Sequence, residues 1–329
     1  MFKSFIEKRL ENYVEKYFEK HPDVKLVAVA GSVGKTSTKM AIATVLSEKF
    51  RLRVEGGNHN TNLSAPLAIL GINYPNNIKN IFAWLAVFRA ARRRIKQPAD
   101  VDVIIQELGS DRIGQVLQFC KYLHPDIGVV TAVSPEHMEY FKTMEAVAKE
   151  ELELANFSKI ALINRDDIDG QYAKYLKNSN INTYGTNAAA EYHFISENYS
   201  IKNGNQGLFY APELPKPLSV NINVLGEHTL RPAIAAGAVG LKLGMNAEEI
   251  TKGIAKIRPA EGRMNVLPGI KDTMIIDDSY NSSPLAVESS LRTLYSMNAV
   301  QKIAILGSMN ELGETSAEEH KKLGELCDP

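Results

Sequence analysis

The chain has 329 residues, of which 44% are hydrophobic and 23% charged, and this length is more than one compact core usually serves. Lysine plus arginine and aspartate plus glutamate both number 38, which excludes a general nucleic-acid binder with its clear basic excess. The two cysteines lack metal or redox spacing and no apolar run suits a signal peptide or a membrane span, so we expect a cytoplasmic protein.

Helical and strand patterns alternate along the first half of the chain. Residues 2–20 place apolar side chains at helical spacing, and His21-Pro22 predicts the end of that helix. Residues 25–30 are typical of a short buried strand, and 36–50 of the helix that follows it. Further buried strands are predicted at 101–108, 126–133 and 159–163. Strands that alternate with helices predict an α/β fold with a mostly parallel sheet.

The second half has a different texture. Residues 190–225 carry short alternating runs that predict small antiparallel strands. A strand-then-loop pattern resumes at Thr273 and again at Lys302, which predicts a second α/β unit. We therefore expect an N-terminal amphipathic helix, a central nucleotide-binding domain and an incomplete Rossmann-like C-terminal domain, over residues 1–22, 23–264 and 265–329.

Residues 78–96 combine an apolar stretch with a basic end. The stretch contains Trp84, the only tryptophan, and runs into Arg89 and the triplet Arg92-Arg93-Arg94. One interpretation is a surface helix with a solvated basic end. The other is a helix that lies on an anionic membrane surface or on a partner.

A phosphate-binding loop is predicted where the first strand meets its helix. A helix N-terminus directs free backbone N–H groups and partial positive charge at one point. The two glycines allow close approach of phosphate oxygens, Lys35 can reach the β- and γ-phosphates, and the Thr36 hydroxyl can hold Mg²⁺. Val29 stands where the common form of this loop has glycine. The predicted nucleotide-binding residues are Gly31, Ser32, Val33, Gly34, Lys35, Thr36 and Ser37.

The loop Ala30–Ser37 resembles that of the Mur ligase family, in which the missing glycine is not required. Other segments resemble the family's motifs in the same order: Gly57–Asn62 with Pro66, Glu107–Gly109, His137–Phe141, Asn164–Asp167, Gly226–His228, Gly262-Arg263, Asp277–Pro284, and Gly307–Glu314 with His320. The last two are most similar to the branch that adds a dipeptide to a muramoyl-tripeptide. The resemblance covers about residues 24–325.

The resemblance implies two Mg²⁺ ions and their ligands. Glu107 ends a predicted strand, where a carboxylate can complete the shell begun by Thr36. His137 is implied to bind a second ion between the γ-phosphate and a substrate carboxylate. Glu151 stands where the family commonly has a carbamylated lysine, so its carboxylate would supply the anion directly. Two alternatives stay open: Lys149 reaches the site in a shifted register, or Glu150–Glu153 form a solvated helix face.

The resemblance also implies contacts with the nucleotide beyond the loop. They come from Asn58, from His228, from Arg263 and from Asp277 or Asp278. Thr229 and Pro232 depart from the asparagines of the family pattern, so other groups must hold part of the adenine. A structural role for His228 remains an alternative.

The implied activity is that of an ATP-dependent amide ligase, in which Lys35, His137 and Glu151 have catalytic roles. ATP would convert a substrate carboxylate into an acyl phosphate, and an amine would then displace phosphate. We expect a monomer that joins a carboxylate-bearing cell-wall precursor to an amino acid or dipeptide, with peripheral membrane contact through 78–96. Only about twenty-three residues precede the segment that resembles the family, where the family has a UDP-sugar domain, so recognition of UDP is open. The alternatives are a folate- or polymer-type ligase and a non-catalytic nucleotide-binding scaffold.

Overall fold

Helices and strands alternate through most of the molecule. The structure is a computed structural model that describes residues 2–56, 60–201 and 203–327. The strands are β1 (Lys25–Ala30), β2 (Leu52–Val54), β3 (Val103–Glu107), β4 (Ile127–Val130), β5 (Ile160–Asn164), β6 (Ile181–Gly185), β7 (Tyr192–Ser200), β8 (Gly204–Tyr210), β9 (Leu218–Ile222), β10 (Asn265–Pro268) and β11 (Met274–Asp277). The helices are α1 (Phe2–Lys20), α2 (Lys35–Leu46), α3 (Ser64–Leu70), α4 (Ile81–Lys96), α5 (Gln115–Cys120), α6 (Met138–Phe141), α7 (Met144–Phe157), α8 (Leu230–Lys242), α9 (Ala247–Lys256), α10 (Pro284–Ser296) and α11 (Ser316–Cys327).

Nine strands form one mixed sheet in the order β2-β3-β1-β4-β5-β6-β7-β8-β9. The pairs from β2 to β7 are parallel, and β8 and β9 continue the sheet in antiparallel pairing. The predicted α/β fold, with its parallel sheet and small antiparallel strands, is confirmed. Strand β1 lies between β3 and β4, so the loops that leave the carboxyl ends of these strands meet at one edge.

Helices cover both faces of the parallel strands, which explains their continuous apolar sequences. In β1, Val27 and Val29 join a cluster with α2, α8 and α9. The alternate residues Leu26 and Ala28 join a second cluster with α1, α3 and α4. Because successive side chains of a strand face opposite ways, one short strand contributes to two cores.

The predicted N-terminal amphipathic helix is confirmed as α1. It buries its apolar stripe against α3 and α4. The buried side chains are Ile6, Leu10, Tyr13, Val14 and Tyr17. This helix therefore belongs to the core of the parallel sheet.

The C-terminal segment corrects one prediction. The strand expected from Thr273 is present as β11, but it pairs antiparallel with β10 in a separate two-stranded sheet. The strand predicted at Lys302 is wrong, because residues 301–310 have no regular secondary structure and Ile305 is 95% exposed. An apolar run forms a strand only when a partner strand lies beside it. Within the described ranges, no strand pairs with residues 301–310. The boundary between 264 and 265 stays a prediction.

Helix α4 occupies most of the unusual segment 78–96. Trp84 is 2% exposed, and its ring N–H donates to the carbonyl oxygen of Ile78 at 2.8 Å. Phe82, two residues away on the same helix, is 80% exposed. Throughout the described ranges, every helix falls short of the length and apolarity that spanning a bilayer requires.

The contrast between these two aromatic residues gives a stability prediction. Trp84→Ala should lower the free energy of unfolding by about 3–5 kcal/mol, because it removes a fully buried ring and leaves a cavity. Phe82→Ala should change it by less than about 0.5 kcal/mol. Urea denaturation of both variants measures the difference, and equal losses would contradict the described packing of α4.

Candidate active site

The loop between β1 and α2 has the geometry that its glycines allow. Gly31 has φ 130° and Gly34, which precedes the first residue of α2, has φ 87°. Both values lie in the region that favours glycine. A Cβ atom on Gly31 would lie only 2.2 Å from Oγ1 of Thr131, which follows β4. The loop is therefore pressed against the neighbouring strand end.

Lys35 folds back over this loop. Its Nζ donates to the carbonyl oxygens of Gly31 and of Ser32, the latter at 3.1 Å, and lies 3.5 Å from a carboxylate oxygen of Glu136. Burial alone would lower the pKa of Lys35, but the carboxylates of Glu136, Glu151 and Glu107 outweigh it and raise the pKa. The side chain therefore keeps its positive charge at the loop.

Two of the predicted metal ligands meet beside the loop. The Thr36 hydroxyl donates to Oε2 of Glu107 at 3.0 Å. Nζ of Lys39 lies 3.3 Å from the same oxygen, and Nδ2 of Asn60 donates to the other carboxylate oxygen at 3.3 Å. Lys39 and Asn60 were not foreseen, although Lys39 is one helical turn beyond Lys35. Glu107 is thus a buried carboxylate with compensated charge.

Glu151 reaches the loop from α7. It is buried, and its Oε2 accepts a hydrogen bond from the backbone N–H of Gly31 at 2.6 Å. Burial raises the pKa of Glu151 to about 8 against the opposing charge of Lys35, and the nearby Glu136 adds to the rise. A cation placed near this carboxylate would favour its ionised form.

The neighbours of Glu151 settle the two alternatives. Glu150 is also buried, and it accepts hydrogen bonds from the Ser110 hydroxyl and from the backbone N–H groups of Gly114 and Val116 at the start of α5. A solvated face at these two positions is therefore wrong. Nζ of Lys149 lies 5.2 Å from the ring centre of Tyr175. In this register Glu151, and not Lys149, contacts the loop.

His137 occupies the position before α6 with φ 49°. Its Nε2 lies 3.6 Å from Glu136, and its Nδ1 lies beside the carboxylate of Glu311 from the C-terminal segment. Glu136 therefore touches both Lys35 and His137. Its place was missed because its role depends on the fold of the loop after β4.

The donor set fits one magnesium ion better than two. Thr36 and Glu107 offer adjacent hard oxygen donors, which suits Mg²⁺ because that ion takes its other ligands from water and phosphates. His137 and Glu151 contact different partners, and within residues 2–56, 60–201 and 203–327 no three His, Cys, Asp or Glu side chains form a group that could hold a metal. The second ion stays a prediction.

A cavity continues from the loop toward the C-terminal segment. The loop side is formed by Val33, Gly34 and Ser37, and the far side includes the predicted residues His228 and Arg263. Thr229 and Pro232, which depart from the family pattern, line it as well.

The other predicted nucleotide contacts differ in position. Asp278 lines the cavity and accepts a hydrogen bond from the backbone N–H of Met264 at 3.1 Å. Asp277 instead accepts from the hydroxyl of Ser279 at 2.6 Å and is absent from the described lining. Its carboxylate is turned to its own loop, so Asp278 is the better candidate. Asn58 lies outside the described residues.

An arginine missed at the sequence level organises one wall of this cavity. Arg231 lies 3.0 Å from carboxylate oxygens of both Asp166 and Asp167. Asn164 donates to Asp167 at 2.7 Å and to the carbonyl oxygen of Thr131 at 2.6 Å. The segment Asn164–Asp167 resembles a family motif, but no local pattern indicated that it pairs with Arg231 of α8.

The imidazole of His228 is neutral at pH 7. Burial and the neighbouring Arg231 guanidinium both disfavour the imidazolium and lower the pKa of His228 to about 4. The ring is half-buried, so solvent moderates this effect. A neutral ring can exchange hydrogen bonds with a base without adding charge to the cavity.

Comparison with known families gives two adjacent matches. The family model of the Mur ligase middle domain matches residues 29–240, and that of the Mur ligase, glutamate ligase domain matches residues 262–329. A UDP-N-acetylmuramoyl-tripeptide--D-alanyl-D-alanine ligase of Bacillus subtilis is 26% identical, over 93% of this chain and 60% of the relative. The Borreliella burgdorferi protein of the same name is 28% identical, over 91% and 59%. The chain spans about three fifths of the length of these relatives.

Solved structures share the fold. MurF from Acinetobacter baumannii superposes with a TM-score of 0.81 at 22% identity, over 97% of this chain and 65% of that one. MurF from Thermotoga maritima in complex with ADP gives 0.77 at 24% identity, over 97% and 68%. An FPGS–AMPPCP–folate complex gives 0.67 at 15% identity, over 97% and 82%. These likenesses confirm the α/β architecture.

The close approach of the loop to β4 predicts a cost for any side chain at Gly31. Gly31→Ala should lower the free energy of unfolding by about 2 kcal/mol or more, because the methyl group meets Thr131 and the backbone is strained. Gly170→Ala is the control, since a Cβ there meets nothing within 4 Å. Its effect should stay below about 1 kcal/mol in the same denaturation experiment. A harmless Gly31→Ala would disprove the tight loop.

The lowered pKa of His228 predicts a loss of stability in acid. The unfolded chain binds a proton near the ordinary pKa of 6.5, but the folded chain does not until about pH 4. Stability should therefore fall as pH drops through this window, by at most about 3 kcal/mol. His228→Gln should flatten the profile measured by denaturation at each pH. His124→Gln, at an exposed position, controls for loss of a histidine, and equal profiles for both variants would refute the assignment.

Proposed function

The chain belongs to the Mur ligase family, and we propose that it is an ATP-dependent carboxylate–amine ligase. The observation that carries the proposal is the cluster of Lys35, Thr36 and Glu107 at the end of the cavity that reaches His228 and Arg263. This cluster combines a phosphate-binding loop, a retained ammonium and hard oxygen donors.

The loop and Lys35 would bind the triphosphate and stabilise its transfer. The free N–H groups at the start of α2 bind phosphate oxygens, and Lys35 compensates the charge that develops as the γ-phosphoryl group moves. An oxygen of the substrate carboxylate forms the new bond to phosphorus as the bond to ADP breaks, which gives an acyl phosphate. An amine then attacks the acyl carbon, loses a proton and expels phosphate, so that an amide remains.

Thr36 and Glu107 are the proposed holders of one Mg²⁺ ion. A bound ion would supply charge neutralisation at the phosphates. His137 and Glu151 are proposed for a second ion. The raised pKa of Glu151 supports this role, since a buried carboxylate beside Glu136 gains most from an added cation.

The base and ribose would occupy the cavity between α2 and the C-terminal segment. The guanidinium of Arg263 lies 4.3 Å from the ring centre of Tyr280, and this contact orients the side chain that we propose for the phosphates. Neutral His228 would contact the base. Asp278 replaces Asp277 as the proposed ribose partner because it faces the cavity.

The substrates are proposed from the names of the relatives. The Bacillus subtilis relative is named for a muramoyl-tripeptide and a D-alanyl-D-alanine. We propose that this chain acts as a monomer in the cytoplasm and joins a carboxylate-bearing cell-wall precursor to an amino acid or dipeptide. Peripheral membrane contact through 78–96 is part of the proposal, and the surface that would make it includes α1.

A test of the activity uses phosphate release. The full chain should release phosphate from ATP and Mg²⁺ only when both UDP-N-acetylmuramoyl-tripeptide and D-alanyl-D-alanine are present. Lys35→Ala should lower turnover by about 100-fold or more, because it removes a charge that stabilises the transition state. Lys177→Ala is the control, because Lys177 is exposed and outside the described cavity lining, and it should leave turnover unchanged.

The same assay separates the alternatives. Release with a folate and glutamate, but not with the muramoyl substrates, would identify a folate-type ligase. Retention of nucleotide without release under any pair of substrates would identify a scaffold. Thermal unfolding of Lys35→Ala distinguishes lost chemistry from lost folding.

A further inference from the structure

A groove between α1 and α4 carries concentrated positive charge. It is lined by Phe5, Lys8, Arg9, Asn12, Tyr13, Lys16 and Arg92, four of which are cations and none of which is acidic. The whole chain has equal numbers of basic and acidic residues, so this excess is local. Among the described residues, none of these four cations has a carboxylate within ion-pair distance.

The two arginines are fixed in place by one phenol. Nε of Arg9 and Nε of Arg92 both donate to the hydroxyl of Tyr13, at 3.3 and 3.1 Å. The guanidinium of Arg9 also lies 5.3 Å from the ring centre of Phe88. A guanidinium has five N–H donors, so each keeps further donors for an anion after the bond to Tyr13. The two arginine side chains are therefore already oriented in the groove without a ligand.

Exposed apolar side chains adjoin the groove at one end. Arg9 lies beside Phe88 and Tyr13 beside Arg92, so α1 and α4 run in the same direction and their N-terminal ends are neighbours. Phe5 on α1 is 55% exposed, and Leu85 on α4 is 52% exposed. Phe82 is more exposed still. A soluble anion would leave these apolar side chains uncovered. An apolar protein partner would leave the four cations without carboxylate or phosphate partners.

We infer that α1 and α4 form one surface that binds an anionic phospholipid bilayer. Lipid phosphates would occupy the groove, and Phe5, Phe82 and Leu85 would enter the interface between headgroups and acyl chains. Basic groups near anionic lipid and apolar groups in the interface are the two contributions that hold peripheral helices on membranes. The inference deepens the proposed membrane contact and does not depend on ligase activity.

Vesicle co-sedimentation of the full chain tests the inference. The chain should bind vesicles of phosphatidylcholine with phosphatidylglycerol and should bind pure phosphatidylcholine at least about tenfold less. The double variant Lys8→Glu/Lys16→Glu should lose about tenfold or more in partitioning to the anionic vesicles. Lys121→Glu/Lys177→Glu makes the same change of charge at exposed positions outside the groove and should lose much less.

The apolar contribution is tested with Phe82→Ser/Leu85→Ser. This variant should also bind anionic vesicles several-fold more weakly while its thermal unfolding stays unchanged, because both side chains are already exposed. Lys35→Ala should bind vesicles like the wild type, so the vesicle experiment can be interpreted even if the ligase assay shows no activity.

Three outcomes would overturn the inference. The first is an equal loss of binding in the two charge-reversal variants, since the groove would then have no special role. The second is equal binding to neutral and anionic vesicles. The third is a dimer in sedimentation velocity that Phe82→Ser/Leu85→Ser dissociates, without vesicle binding, which would assign the surface to a second copy of the chain.

Discussion

The buried carboxylate of Glu107 is the constraint on which the site depends. A carboxylate inside a protein is stable only when nearby groups compensate its charge. Glu107 ends β3 and is paired in register with Val29 of β1, next to the loop. Its oxygens then contact Thr36, Lys39 and Asn60, which come from the first turns of α2 and from the segment after β2. The charge of Glu107 therefore holds β3, the start of α2 and the segment after β2 together beside the phosphate-binding loop.

Lys35 likewise lies among groups of opposite charge, but it interacts with three carboxylates. Glu107, Glu136 and Glu151 all raise its pKa, and burial raises the pKa of Glu151 in turn. More carboxylates than cations converge on the loop, so the site carries an electrostatic cost that a divalent ion would relieve. This gives a physical reason why nucleotide and metal binding should reinforce one another.

The sequence predicted the elements well and their pairings less well. The strands around the loop, α1 and the position of the glycine loop between β1 and α2 followed from local patterns. Glu136, Lys39 and Arg231 were missed because their partners are brought together by strand order, which no local pattern encodes. The strand at Lys302 was wrongly predicted because an apolar run does not reveal whether a partner strand lies beside it. Asp277 and Asp278 are adjacent, and only the backbone turn decides which one faces the cavity.

Helix α1 has two sides with separate duties. Ile6, Leu10 and Val14 lie in the core that supports β1, whereas Lys8 and Lys16 face the groove. The segment cannot be removed without opening the hydrophobic interior, yet its outer side can be varied freely as far as folding is concerned. If the proposed membrane contact holds, surface substitutions on α1 alone could change membrane affinity, while the loop at the carboxyl ends of the strands stays as it is.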